Sequence, residues 1–312
     1  MEKLIVSSSP HIYAKATTQT IMRDVLIALM PATVAGVVLF GLKALAVILV
    51  CVASAVIAEL VFNILCKKAQ TVGDLSAAVT GLILALCLPA SIELWQCVIG
   101  SVFAIVFVKC VFGGLGCNFA NPAATARVFM LITFASAGGG VATNFMSADI
   151  IASATPLAAI KSGATDALPS LTDMFLGNRA GAIGETCAIA LLIGGIYLIA
   201  RRVIYWHTPA IYVATVFVLS LIIKQDVTLA LYEVLGGGLL IAAFFMITDY
   251  VSTPINKGGK MVFAFGCGLI TVLIRFWGGY PEGVSFAILL MNILSPYIEK
   301  LCTKKPFGKV GK

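Results

Sequence analysis

Apolar runs of roughly twenty residues recur along the whole 312-residue chain, and they leave it few folds to choose from. A run of that length matches the helix that crosses a hydrocarbon layer of about 30 Å. Inside such a layer every backbone N–H and C=O must be paired, so only helices and closed barrels can span it. Barrel strands are short and alternate apolar with polar side chains; these runs are longer and do not alternate. The chain therefore reads as an all-α integral membrane protein. Composition agrees: 11% of residues are charged, against about a quarter in soluble domains, and mean hydropathy is +1.05.

Ten spans are predicted, near 25–41, 44–66, 76–89, 94–112, 122–138, 184–200, 209–223, 229–247, 261–277 and 284–298. The first twenty residues are polar, and the first apolar run exceeds the core of a cleaved signal, so it is read as a retained span. With the N-terminus inside, Lys67, Lys68, Lys109, Arg127, Arg201, Arg202, Lys257 and Lys260 fall at even-numbered connections, and five lysines follow in the tail. That is the positive-inside pattern, so both termini are expected on the cytoplasmic side. The net charge of +7 is then a matter of topology, and no nucleic-acid partner is expected. Nine cysteines are scattered without a Cys-x-x-Cys pair and read as small apolar residues, so no metal site is expected.

Two halves share an order of features. LSAAVTGLILALCLPASIELW leads through a span to VFGGLGCNFANPAATARVFML, and LGGGLLIAAFFMITDYVSTPINKGG leads through a span to RFWGGYPEGVSFAILLMN. Five spans is an odd number, so a second copy enters the membrane inverted, and such repeats place their sites where interrupted helices meet. The alternative is that Gly and Pro are merely common in membrane helices. The organisation expected is a first five-helix half (1–137), an outer polar loop (138–183), and a second half with a basic inner tail (184–312).

The polar stretch at 148–170, ADIIASATPLAAIKSGATDALPS, cannot face hydrocarbon, and long loops of this kind usually carry function. Ionisable groups at the spans come next: Glu59, Lys109, Asp249, Arg275 and Glu282. Such groups are usually paired or line a polar path. Glu59, Lys109 and Asp249 are candidates for an ion path, with Glu59 and Lys109 able to pair; snorkelling is the alternative for Lys109 and Arg275.

Five ordered blocks carry a family resemblance: DLSAAVTGLILALCLP, GGLGCNFANPA, ATPL, FFMITDYVSTP and IRFWGGYPEGVSFAILLMN. In this order the chain resembles the D subunits of Rnf-type ferredoxin:NAD oxidoreductases, themselves similar to the B subunits of the sodium-translocating NADH:quinone reductase. The resemblance implies a ten-helix subunit in the bacterial cytoplasmic membrane, with a fold similar to urea and ammonium channels. It implies FMN held by a phosphoester to an outer threonine, a non-covalent riboflavin, and electron transfer coupled to Na⁺ or H⁺ export. Partners implied are the other membrane and peripheral subunits, including a second covalent-FMN subunit and iron–sulfur subunits. The chain shows no nicotinamide fingerprint and no iron–sulfur cysteine cluster, so it is expected to be one part of an oxidoreductase, without catalytic side chains of its own. The rival reading is a channel or carrier with no redox role.

Two threonines compete for the FMN. The acceptor pattern implied is Asp, three residues later Ser or Thr, then a small residue, then Ala-Thr. Thr155 has Asp149 in place, Ser153 and Ala154 before it, and Pro156 and Leu157 after it, but Ala152 lacks the hydroxyl. Thr165 has Ser162, Gly163 and Ala164, but Ala159 replaces the Asp. Thr155 is the choice and Thr165 the alternative; taken alone, either reads as a cap or turn residue. Asn118 and Asn121, beside the inner Gly-Gly turn, are expected to hold the riboflavin, while the outer turn with Glu282 packs against the FMN. Glycines serving close packing and asparagines serving as caps are the alternative.

Overall fold

The computed structural model describes residues 16–134, 155–163 and 168–303, and all the regular secondary structure among them is helical. Helix α1 (Thr18–Phe40) starts at a capping box between Thr17 and Thr20. Gly41, at φ 72°, closes α1 and opens α2 (Leu42–Leu65). A left-handed residue is inexpensive only as glycine, so two long apolar helices turn on that one position. Next come α3 (Ser76–Leu86), α4 (Leu94–Val102, continued by π-helical turns over Phe103–Cys110) and α5 (Pro122–Thr133). The polar stretch forms two short helices, α6 (Pro156–Ser162) and α7 (Leu171–Leu176). The rest is α8 (Ala188–Ala200), α9 (His207–Lys224), α10 (Val227–Leu235), α11 (Leu239–Ile241, running into a π-helical turn over Ala242–Met246), α12 (Lys257–Trp277) and α13 (Val284–Cys302).

Among the described residues five helices, α1, α2, α9, α12 and α13, are long and apolar enough to cross a membrane. A sixth span results if α10 and α11 count as one, broken by 61° at the glycines 236–238. At the other expected spans the helices are too short to count as spans by themselves. α3 has 11 residues, α5 has 12 and α8 has 13. The expected fifth span, to residue 138, stops as helix at Thr133, and the expected sixth, from 184, begins only at Ala188.

Irregular backbone at the ends of the short helices is covered by protein. The Ile183 and Gly184 N–H groups donate to the carbonyls of Leu88 (3.0 Å) and Leu86 (2.8 Å), where α3 stops ahead of Pro89. Non-helical backbone is tolerated at membrane depth only when buried in this way. The end of the outer polar loop lies against protein: Arg179, Ala180, Ala182 and Ile183 are buried.

Helices α1 and α8 pack antiparallel. Asp24 of α1 meets Arg201 at the end of α8, Gly194 lies against the Ala28 carbonyl, and Gly36 lies against Ile183. A Cβ at Gly194 would stand 2.1 Å from that carbonyl oxygen, so only glycine permits the approach. Helices α5 and α13 also run antiparallel. Arg127 reaches Glu282, and the Asn121 N–H donates to the Asn292 side-chain oxygen (2.9 Å). Two helices are hubs, α2 packing on α3 and α4, and α9 on α10 and α12. The outer surface is apolar, with Leu42, Leu49, Ile57, Ile64, Ile222 and Leu301 exposed.

Candidate functional site

Two polar regions lie at opposite ends of the helical bundle. The first is built around α6. Thr155 caps this helix, its hydroxyl oxygen accepting from the Ala158 N–H at 3.4 Å, and Pro156 takes the first helical position. That position wants no N–H, which makes Thr-Pro a natural helix start. Leu157 and Ile160 are buried and pull the helix onto the second half of the chain. Leu157 sits against Gly236 and Gly237; a Cβ on Gly237 would come within 2.3 Å of the leucine Cδ1. Lys161 donates to the carbonyls of Gly278 and Tyr280 (3.0 Å), so the outer turn and the Thr155 helix are in contact. Asp149, Ser153 and Thr165 lie outside the described residues. The Thr155 hydroxyl is half-buried and makes one long bond among the described residues.

Beneath Leu157 lies a concentration of charge. Glu282 pairs with the Arg127 Nη2, and Glu233 with the Arg275 Nη1 at 3.0 Å, both members of the latter pair almost fully buried. Arg179 is spent on backbone, donating to the carbonyls of Glu185 and Leu235 at 2.7 Å each. These groups surround the break between α10 and α11, where several carbonyls lack helical partners. Arg275 also donates to the carbonyls of Glu233, Gly236 (3.2 Å) and Glu282 (2.9 Å). Guanidinium groups with five donors suit such a task. A cavity of about 10 Å³ lined by Cys87, Arg127, Glu185, Gly237, Gly238 and Glu282 is left between them. The Arg127 Nη1 has no partner among the described residues.

Much of this cluster escapes sequence reasoning. Arg127 is read there as a topology marker and instead pairs across the molecule; Arg275, expected to snorkel as one alternative, is buried. Arg179, Glu185 and Glu233 are not singled out at all. Their signal is an ionisable residue beside a glycine break, as in GAIGET and YEVLGGG.

The second region is a cleft at the other end, between α1, α3, the start of α5, the end of α8 and the turn after α11. Its cavity volume is about 90 Å³. Its walls are mainly apolar, from Val25, Val79, Ile83, Leu198 and Phe244, and its polar groups include Asn118, Asn121, Lys109 and Asp249. The structure thus brings together both predicted asparagines and two of the three ion-path candidates. Asn121 is also the cap of α5, accepting from the Ala123 and Ala124 N–H groups (3.1 and 3.2 Å). Asn118 spends its amide N–H on the Ala120 carbonyl (3.0 Å), and Asp249 accepts from Ser252 (2.8 Å). In the glycine turn nearby, Gly114 and Gly116 have φ of 98° and 93° with nothing near a Cβ position. Backbone conformation, not close packing, is the reason for glycine there.

Glu59 and Lys109 pair at 2.8 Å with 1% and 2% exposure, so the lysine does not snorkel. A polar chain extends from them. Glu59 Oε1 also accepts from Thr71 (2.6 Å), which accepts from Asn63 (3.0 Å), while Lys109 donates onward to Ser76, itself bonded to Asp74. Lys109 and Ser76 border the cleft, so this chain opens into it.

Comparison with known proteins finds relatives along nearly the whole chain. Residues 5–308 match the model of the NQR2, RnfD, RnfE family. The chain is 47% identical to the D subunit of the Na⁺-translocating ferredoxin:NAD⁺ oxidoreductase complex of Acetobacterium woodii, covering 98% of this chain and 95% of that one. It is 39% identical to the D subunit of the proton-translocating ferredoxin:NAD⁺ oxidoreductase complex of Clostridium ljungdahlii, over 97% and 96% of the two chains. With the D subunit of the ion-translocating oxidoreductase complex of Halorhodospira halophila the identity is 37%, over 97% and 95%.

Proposed function

The chain belongs to the NQR2, RnfD, RnfE family, and on that premise we propose that it is the flavin-carrying membrane subunit of a complex coupling ferredoxin:NAD electron transfer to export of Na⁺ or H⁺. One observation carries the reading. Thr155, in the block Ala-Thr-Pro-Leu, is seated by Leu157 on the α10–α11 break, at the end of the bundle opposite the cleft. FMN joined to the Thr155 oxygen supplies one-electron redox chemistry at that end. The chain's own residues hold the anchor: Leu157 and Ile160 bury the helix, and Lys161 pins it to the turn before Glu282. The Arg127–Glu282 pair fixes that turn's far side. At the other end, the cleft offers apolar walls and the Asn118 and Asn121 amides to a neutral flavin, riboflavin being the one proposed.

Ten spans in two inverted halves are part of the proposal, supported by the antiparallel pairings of α1 with α8 and α5 with α13. Basic residues gather at the cleft end. Lys260 stands 5.2 Å from the ring of Tyr205 and 5.9 Å from that of Tyr250, and Cys302 packs near Gly259. By the positive-inside rule that end, with both termini, is cytoplasmic, and Thr155 is outside. Partner subunits supply the ferredoxin and NAD sites, the iron–sulfur clusters and a second covalent FMN. Glu59, Lys109 and Asp249, around the cleft, are the chain's candidates for cation passage.

The test is denaturing electrophoresis of the complex, purified from cells with a flavin transferase, under ultraviolet light. A fluorescent band at this subunit is expected, together with a second, acid-extractable flavin. A dark band would overturn the redox reading in favour of a plain carrier.

A further inference from the structure

One side of α2 faces neither of the two sites. There a groove of about 590 Å³ runs between α2 and α4, lined by Val50, Ile57, Val61 and Leu65 on one side and Val98 and Val102 on the other. Ala53 and Ala58 leave the floor low. The one hydroxyl lining it, Ser54, donates back to its own helix at the Val50 carbonyl (2.6 Å), so the surface is wholly apolar.

Dimensions narrow the choice of occupant. From Val50 to Leu65 the groove follows the helix for about 22 Å, a length that suits an extended acyl chain. A single extended hydrocarbon chain fits the space. Charge marks one end. Phe62 and Leu65 line the groove, and the Lys68 ammonium stands 5.3 Å from the Phe62 ring centroid. Lys67 is its neighbour, both lysines are exposed, and neither has an ion-pair partner among the described residues. Glu59, the carboxylate one turn away, is committed to Lys109.

We propose that this groove binds one anionic phospholipid, with an acyl chain along α2 and the phosphate against Lys67 and Lys68. The proposal needs the chain to be a membrane subunit but does not depend on either flavin. The apolar channel selects for a chain, and the lysine pair selects for charge at the membrane surface, where each basic residue contributes about 1 kcal/mol.

The test uses the detergent-solubilised, delipidated complex, titrated with phosphatidylglycerol or with phosphatidylcholine of the same acyl chains, and bound lipid is counted by native mass spectrometry. One phosphatidylglycerol per complex is expected to bind in preference to phosphatidylcholine. Lys67→Gln with Lys68→Gln should raise its half-saturating concentration by about thirtyfold. Ala53→Phe, which fills the exposed floor without touching the core, should abolish it; Lys43→Gln, at the far end of α2, should leave it unchanged. Equal retention of the two lipids overturns the proposal, as does unchanged binding in Ala53→Phe. So does quantitative disulfide capture of Val61→Cys by a neighbouring subunit, which would mean that a protein helix covers the groove.

Discussion

The pocket under α6 and the cleft at the opposite end solve the problem of polarity inside a membrane in contrasting ways. Under α6, Arg127, Glu185 and Glu282 line a space of about 10 Å³, room for roughly one water molecule, while Arg179, Arg275 and Glu233 hold the adjoining helix break. Charges cancel locally, and most donors are fixed on carbonyls freed by a broken helix. The cleft has many times the space and few charges, with amides and aliphatic walls instead. A tight, charge-balanced frame suits an anchor that must not move. A roomy, nearly neutral cleft suits a ligand held by shape. In the proposed function the tethered and the free flavin sit on these two grounds respectively.

The sharpest way to break this contrast is at the tether. Thr155→Val keeps the shape of the side chain and removes the only atom able to form the phosphoester. Complete loss of denaturation-resistant flavin fluorescence is expected, with the acid-extractable flavin still present at full stoichiometry. The lost cap adds about 1 kcal/mol of destabilisation, small beside the loss of the cofactor. Fluorescence that persists here and disappears in Thr165→Val would move the anchor.

Next in size is the charge frame. Arg127→Met leaves the part-buried Glu282, 20% exposed, without its partner, and the loss should approach but not reach the roughly 3–5 kcal/mol typical of a fully buried pair. Replacing both, as Arg127→Met with Glu282→Leu, removes the uncompensated charge and should recover most of that loss. Unfolding of the detergent-solubilised protein in denaturant measures both. A double variant no more stable than the single would show that the frame works through geometry that apolar side chains cannot restore.

How much of this was legible beforehand depends on whether the signal is local. Ten apolar segments and the Glu59–Lys109 pair follow from composition and intramembrane charge. The lengths of α3, α5 and α8 do not. An apolar run looks the same whether it is helix or buried irregular backbone, and only the bonds from Ile183 and Gly184 to the end of α3 decide it. The charge frame was hidden for a related reason. Arg127 and Glu282 are 155 positions apart, and each alone reads as a helix-end charge. Arg179 hydrogen-bonds mainly backbone carbonyls, which carry no sequence signature.

At the cleft the two asparagines separate binding from folding. Asn118→Leu removes an amide whose oxygen has no bond among the described residues and should release the acid-extractable flavin with little effect on stability. Asn121→Leu should release it too, but at an added cost of about 1 kcal/mol, because this side chain caps α5 through Ala123 and Ala124. Flavin content and melting temperature, read on the same samples, check the pair. Both flavins retained at full stoichiometry in Asn118→Leu would leave the cleft without its assigned ligand.

The smallest effect is expected where a charge pair meets water, and it calibrates the others. Asp24 and Arg201 join α1 to α8 at 3.2 Å, the same kind of contact by distance as the buried pairs. The arginine side chain is 55% exposed, however, so solvent screens the attraction and little desolvation is recovered when it breaks. Asp24→Asn should therefore destabilise by about 0.2–1 kcal/mol, and high salt should shrink even that difference. The substitution keeps an oxygen able to accept from Tyr197, whose hydroxyl lies 3.4 Å away, so the packing of α1 on α8 is undisturbed. A loss of several kcal/mol, insensitive to salt, would mean that this end of the bundle is as closed to water as the frame under α6. The contrast between the two regions would then rest on cavity size alone.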